Sequence, residues 1–253
     1  MKISIVTLSL NQAQYLREAM ESVLAQGYPE LEYIVVDPGS TDGSRALIES
    51  YGSAVAQRIF EPDHGAADGL NRGFARATGD VYGFLNADDV LYPGSLQSVA
   101  EFFTQHPQCD IVFGSGHKID AEGNRLRHFR AAHFTVNRYI YGGAVWLQQA
   151  TFFRAEAFRR SPHFNVENRT CWDGELFVNM VNQGARTGHL SSDLAGFRIH
   201  GASISGSGRL NEQYLRDCRR IFREMRNREW GRMDDLRRVV YRATGYLSRI
   251  ANR

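Results

Sequence analysis

Two periodicities of apolar residues take turns along the first half of the chain. Short β-branched and aromatic runs at Lys2 to Ser9, Glu32 to Asp37, Arg58 to Glu61 and Val81 to Leu85, each closed by polar residues, predict strands. Between them, Tyr15 to Gln26 brings Leu16, Ala19, Met20, Val23 and Leu24 onto one face at three- and four-residue spacing, which predicts a helix with one buried side. Ser44 to Tyr51, Ala67 to Ala77 and Ser95 to His106 are further helical segments. Strand and helix in strict alternation predict an α/β fold, with a mostly parallel central sheet, right-handed crossovers and helices on both faces.

Beyond Cys109 the pattern becomes mixed. Ile111 to Phe113 and His117 to Asp120 predict two strands, Ala121 to Asn124 a hairpin turn into Arg125-Leu126-Arg127, and Gln149 to Arg154 and Leu194 to Ile199 further strands. Asp173 to Gln183 predicts an amphipathic helix built on Leu176, Phe177, Met180 and Val181. In the last section Leu210, Tyr214, Cys218, Ile221, Phe222 and Met225 form one helical stripe. After a break near Trp230-Gly231, Met233, Leu236, Val240, Ala243, Leu247 and Ile250 form another.

In an open α/β sheet, ligands bind at the carboxyl ends of the strands. Polar clusters stand at four such ends: Thr7, Ser9 and Asn11, then Asp37 to Gly43, then Glu61 to Gly65, then Asn86-Ala87-Asp88-Asp89. Each alone is ordinary turn chemistry, and Asp88 and Asp89 also suit a cap for the helix opening near Pro93-Gly94. Together on one edge they predict a phosphate- or nucleotide-binding site. Hard divalent cations such as Mg²⁺ or Mn²⁺ take one or two carboxylates plus substrate phosphates, and Asp88-Asp89 supplies that oxygen pair.

Composition narrows the class. With 253 residues, 43% apolar and 23% charged, the chain has the make-up of a soluble globule with room for a sizeable core. Cys109, Cys171 and Cys218 are too few and too scattered for a disulfide framework or zinc knuckle. No apolar run approaches the roughly 20 residues of a membrane span, so the expected location is cytoplasmic, with contact at the inner face of the membrane if something else holds it there. Only Lys2 and Lys118 are lysines, which removes a Gly-Lys-Ser/Thr phosphate loop and most kinase or ATPase functions. The net charge of +2 is uneven, because Arg209 to Arg253 holds 13 Arg against 6 acids. Basic amphipathic helices of this kind pack on the body or a second subunit as a homodimer, or lie on anionic lipid. Nucleic acid is not expected, since no stacking aromatics accompany the arginines.

The ordered motifs resemble the family 2 glycosyltransferases, which have the GT-A fold. They are Ser4 to Asn11, Tyr33 to Gly43, Glu61 to Gly73, Asn86 to Asp89, Gln149 to Arg154, Trp172 to Leu176 and Phe197 to Gly201. The resemblance implies a nucleotide-sugar-binding half over residues 1–110, an acceptor-binding half of the same domain over 111–205, and a basic helical tail over 206–253. It implies that Asp37 accepts a hydrogen bond from the nucleobase, with Thr7, Ser9 and Asn11 lining that pocket, and that Asp68 reaches the base or ribose with Asn71 nearby. Asp88 and Asp89 then bridge Mn²⁺ or Mg²⁺ to the diphosphate, Asp89 as the more direct ligand, and His200 with Arg198 meets the metal or diphosphate from the other side. Asp173 stands at the family position of the general base for inverting transfer, with Glu175 in reserve. Asn86, Trp146, Gln148, Trp172 and Glu175 are the expected sugar and acceptor pocket.

The implied function is metal-dependent transfer of a sugar from a nucleoside-diphosphate donor to a hydroxyl of a glycan or lipid-linked acceptor, as in bacterial surface polysaccharide biosynthesis. Pro38 departs from the family pattern, where Asp or Gly is common, so UDP is favoured over GDP or dTDP on less than the full motif. A nucleotidyltransferase-like enzyme and a non-catalytic nucleotide-sugar-binding relative are the alternatives. The former usually carries a basic Gly-rich loop that Leu8 to Gln14 does not provide. A haloacid-dehalogenase-type phosphatase fails because Gly39 replaces its second acid and no suitable lysine follows.

Overall fold

The computed structural model describes residues 1–201 and 210–250. Its first half is the expected alternation: β1 (Ile3–Leu8), α1 (Ala13–Leu24), β2 (Leu31–Val36), α2 (Ser44–Ser50), β3 (Gln57–Ile59), α3 (Ala66–Arg76) and β4 (Val81–Asn86). Two-residue β5 (Val90–Leu91), α4 (Ser95–Gln105), β6 (Ile111–Ile119), β7 (Arg125–Phe129), α5 (Val136–Ile140), β8 (Thr151–Arg154), α6 (Ala155–Arg160), α7 (Trp172–Asn182) and β9 (Thr187–Arg198) follow. Two helices, α8 (Asn211–Arg226) and α9 (Arg232–Ile250), close the described chain.

All nine strands form one sheet in the order β3-β2-β1-β4-β8-β6-β9-β5, with β7 beside β6. β3, β2, β1 and β4 run parallel. The other half mixes directions, since β8 is antiparallel to both β4 and β6 while β9 is parallel to β6. Alternate strand residues feed two cores. Ile3, Ile5, Tyr33 and Val35 pack toward α1, α2 and α4, whereas Val6, Ile34, Val36 and Phe84 pack toward α3, α6 and α7. The second core is aromatic: Phe74 stacks on Tyr82 at 4.8 Å and meets Phe153 edge-on at 5.7 Å.

Three departures from the expected elements have local causes. Ile111 to Phe113 and His117 to Asp120 are parts of the single strand β6, joined through Gly114 and Gly116. Those glycines break the apolar pattern because β9 lies against them: a Cβ at Gly116 would overlap the Ala195 carbonyl, and one at Gly114 would overlap Leu194. β9 begins at Thr187 rather than Leu194, its exposed polar stretch at Ser191 and Ser192 accommodated by a register shift. Gln149 and Ala150 belong to a 3₁₀ turn, Gln148–Ala150, closed by the backbone bond from Ala150 N to Leu147 O, with the two glutamine amides donating to Phe84 O and Asp89.

The basic tail is docked on the body through α8. Ile221 and Phe222 are buried in and beside the aromatic core, and Thr170 Oγ1 donates to Asp217 at 2.7 Å. Arg220 grips the buried Glu175 carboxylate with two bonds of 2.6 and 2.7 Å. Burial alone would raise the Glu175 pKa, but Arg220, Asn165 and Asn168 together hold it below the usual carboxylate range. The apolar face expected on α9 is not covered at Met233, Leu236 and Val240, which are exposed together with Val239; Leu247 and Ile250 have side chains outside the described residues. Arg220→Ala should lower unfolding free energy by about 3 kcal/mol in urea denaturation, since it strands a buried carboxylate. A loss below about 1 kcal/mol would mean the pair contributes no more than a surface ion pair.

Candidate active site

The carboxyl ends of β1 to β4 open onto a cleft of about 770 Å³. Leu8, Ser9, Leu10 and Gln12 follow β1, Pro38 follows β2, Asp63, Gly65 and Ala66 lead into α3, and Asn86, Ala87 and Asp88 end β4. The rest of the lining is the strap Trp146–Gln149, the loop Arg169-Thr170 with Trp172 and Asp173 at the start of α7, and Phe197 of β9. Seven expected site residues therefore share one cavity: Ser9, Asn86, Asp88, Trp146, Gln148, Trp172 and Asp173.

Asp88 and Asp89 have separate jobs. Asp89, expected as the more direct metal ligand, is buried, with Oδ1 accepting from Arg198 N at 2.8 Å and Oδ2 from Gln149 Nε2 at 2.7 Å and Asn86 Nδ2 at 3.1 Å. Burial and the adjacent Asp88 carboxylate raise its pKa against those donors. Asp88 is the carboxylate that lines the cleft, and its Oδ2 lies 3.0 Å from His200 Nε2. The His200 ring packs on Tyr15 at 4.8 Å. The Asp88 carboxylate at the cleft is an oxygen donor of the kind that Mn²⁺ and Mg²⁺ take, with the His200 imidazole beside it as a nitrogen donor.

Arg198 does not face the cleft. Its Nε donates to Asp88 O at 2.7 Å, Nη1 to Asp120 O and Ala121 O at 3.1 and 2.9 Å, and Nη2 to Glu18 Oε2 at 2.7 Å. The guanidinium also lies 5.0 Å from the Tyr15 ring centre. With 1% of its side chain exposed, it is a buried tie between α1, the β4–β5 turn and the β6–β7 turn, not a contact for a diphosphate.

Asp173 lines the cleft from the first turn of α7, next to Trp172, whose ring lies 5.6 Å from that of Phe84 in β4. Burial pushes its pKa up to about 6, while the Gly174 N–H at 2.7 Å favours the anion. Glu175, two residues on, is excluded from the cleft by its bonds to Arg220, Asn165 and Asn168, so neither the reserve-base nor the pocket expectation fits its position.

Several expected nucleotide contacts are occupied by the protein itself. Thr7 Oγ1 accepts from Tyr33 Oη at 2.9 Å, and Asn71 exchanges bonds with the Phe164 backbone at 2.9 and 3.1 Å. Asn11 Oδ1 holds the β2–α2 loop through Thr41 N, at a left-handed φ of 53°. Asp68 caps His64 N and pairs with Arg72, both at 3.0 Å, and it is Asp63 that presents a carboxylate to the cleft. Asp37 is buried; Oδ1 accepts from Gly39 N, Ser40 N and Arg45 Nε, while Oδ2 has no partner. Ser9 Oγ is likewise buried and without a partner at the cleft wall. Buried polar atoms normally find partners, so these two are unsatisfied groups at the carboxyl ends of β1 and β2. Asp63 and Gln149 lay inside quoted motifs without being singled out, and the lone Arg169, which reaches the His64 carbonyl, carried no sequence signal.

A parallel half-sheet whose carboxyl edge opens onto a cleft lined by Asp63, Asp88 and Asp173 agrees with the GT-A fold expected from the motifs. The model of "Glycosyl transferase family 2" matches residues 4–168. An uncharacterised glycosyltransferase of Nostoc sp. (strain PCC 7120) is 30% identical, over 98% of this chain and 84% of its own length. A PGL/p-HBAD biosynthesis glycosyltransferase of Mycobacterium tuberculosis is also 30% identical, over 72% of this chain and 70% of its own. The chain belongs to the family 2 glycosyltransferases and is a transferase enzyme. Among solved structures, S. aureus TarS 1–349 is similar in fold, with a TM-score of 0.72, 20% identity, and coverage of 98% of this chain and 72% of that one. The mannosyltransferase PcManGT of Pyrobaculum calidifontis, in complex with GDP-Man and Mn²⁺, has a TM-score of 0.68, 17% identity, and coverage of 97% and 69%.

Replacing Arg198 by Met should cost about 3 kcal/mol in chemical denaturation, because the Asp88, Asp120 and Ala121 carbonyls lose their shared donor. A cost under about 1 kcal/mol would show that the tie is dispensable.

Proposed function

We propose that this chain is an inverting, metal-dependent glycosyltransferase, moving a sugar from a nucleoside-diphosphate donor to a hydroxyl of a glycan or lipid-linked acceptor in surface polysaccharide synthesis. The observation that carries the proposal is that Asp88 and Asp173, far apart in the chain, line one cleft at the carboxyl ends of the parallel strands. Asp88 and His200 would hold a divalent cation, Mn²⁺ or Mg²⁺, which supplies positive charge against the departing diphosphate. The unpartnered Asp37 Oδ2 accepts a ring N–H of the base and Ser9 Oγ bonds the nucleotide, while Arg169 and Asp63 border the donor's path. UDP is preferred over GDP or dTDP. TarS has been solved with UDP and with UDP-GlcNAc, and PcManGT with GDP-Man, which supports a nucleotide-sugar donor without choosing among the bases.

Asp173 takes the proton of the acceptor hydroxyl as its oxygen attacks the anomeric carbon, on the face away from the leaving diphosphate, so configuration inverts. Trp172 and Trp146 supply flat apolar surfaces beside it, and Gln148 and Asn86 supply hydrogen bonds that position a sugar. Asp173→Asn removes the base but not the donor contacts. Nucleoside diphosphate release in Mn²⁺ should fall by roughly 10²–10⁴-fold in that variant, with nucleotide-induced thermal stabilisation retained. Because burial favours the neutral acid, the working carboxylate is present above about pH 6, and kcat/KM should decline below that pH. Normal turnover by Asp173→Asn would refute the base assignment.

A lipid-linked acceptor agrees with α9, whose Met233, Leu236, Val239 and Val240 are exposed beside Arg232, Arg237 and Arg242. Among the described residues no helix is long and apolar enough to cross a membrane, so contact would be peripheral. The full chain should co-sediment with vesicles rich in anionic lipid, less with neutral ones, and less again after Leu236→Glu with Val240→Glu. Equal recovery in all three cases would count against the membrane role.

A further inference from the structure

A second cluster of ligating side chains lies where β6, β7 and β9 meet, and none of its members lines the cleft. His117 on β6 stands directly opposite His128 on β7, and Asp193 on β9 is opposite Ser115, two residues back along β6. A separation of two residues puts side chains on the same face of a strand. His128 Nε2 lies 2.7 Å from Asp193 Oδ1, and His117 Nδ1 lies 3.7 Å from Asp193 Oδ2. One ligand atom from each residue falls within 4.8 Å of the others.

An imidazole–carboxylate hydrogen bond explains His128 but not His117. The His117 Nδ1 is buried and makes no hydrogen bond, in a region where its neighbour Tyr92 also has a buried hydroxyl without a partner. Ligands held at about 2.0–2.2 Å around a tetrahedral Zn²⁺ are roughly 3.3–3.6 Å apart, so small rotations of these side chains bring all three onto one ion. Two imidazoles and a carboxylate suit Zn²⁺, with Ni²⁺ and Cu²⁺ as competitors, whereas Mg²⁺ and Ca²⁺ prefer all-oxygen sets. Arg125, its guanidinium 5.0 Å from the Tyr92 ring centre, opposes a cation at this place and limits how tightly one is held.

We propose that His117, His128 and Asp193 form a transition-metal site, taking Zn²⁺ by preference, separate from the donor cleft. Its physical effect is a staple. Among the described strands β7 is paired with β6 alone, and Arg125 to His128 are exposed, so a metal would tie this hairpin edge to β9 just after its register shift. The same β9 runs on to Arg198, whose N–H holds Asp89, so the staple stiffens the strand that supports the β4 turn. Three protein ligands leave a position for water.

The test uses the full chain, stripped with chelator and titrated with Zn²⁺ in excess Mg²⁺ by calorimetry, with Co²⁺ absorption as an independent report of ligand field. A single stoichiometric equivalent should bind and raise Tm. Affinity should fall roughly 100-fold or more in His128→Gln and in Asp193→Asn, whose partly exposed side chains can change without unfolding the protein, and should be unaffected by Asp88→Asn. Arg125→Gln should tighten binding several-fold. Absence of stoichiometric uptake, uptake unchanged in both His128→Gln and Asp193→Asn, or uptake abolished by Asp88→Asn would overturn the assignment.

Discussion

The buried Arg198 guanidinium is the constraint on which the site depends. A charge taken out of water must be matched by acceptors, and Arg198 finds them in Asp88 O, Asp120 O, Ala121 O and Glu18, while its backbone N–H serves Asp89. Those acceptors come from the β4–β5 turn, the β6–β7 turn and α1. Satisfying one side chain therefore registers the carboxyl end of the parallel half against the mixed half of the sheet. Asp89 completes the tie from within, accepting from Gln149 and Asn86 as well. Asp89 is buried in these three bonds, while Asp88 lines the cleft.

Two acids on the cleft walls are thereby given different characters. Asp88 lines the cleft with its Oδ2 beside the His200 imidazole, the oxygen donor proposed to meet a cation. Asp173 is walled by Trp172 and the aromatic core, so burial lifts its proton affinity toward neutrality, as a general base requires. Division of labour between acids follows from environment, not from residue type.

The basic tail bears on the same region. Glu175 shares the first turn of α7 with Asp173, and Arg220 of α8 holds it from outside. The helix that carries the proposed base is thus braced by the tail. Chain segments that look electrostatically separate, +7 over Arg209 to Arg253 in a chain of net +2, are joined here by one of those very arginines.

Much of this was legible in the sequence. Period-two and period-3.6 apolar patterns are local, and they located the strands and helices of the parallel half to within a few residues. Short motifs at strand ends likewise pointed to the cleft, because chain direction alone sends β1 to β4 to a common edge. What the tertiary structure decided was which polar side chain is left over for a ligand. Thr7, Asn71, Asp89 and Glu175 are plausible by type, yet each is bonded to a distant partner, Tyr33, Phe164, Arg198 with Gln149, and Arg220, while Asp68 is held locally by His64 and Arg72. Asp63 and Arg169 reach the cleft because their loops fold over it. The full lengths of β6 and β9 were hidden because Gly114 and Gly116, demanded by close contact with β9, and the exposed Ser191 and Ser192 break the apolar pattern that marks a strand. Local periodicity is written in neighbouring residues, whereas hydrogen-bond partners far apart in the chain meet only when it folds.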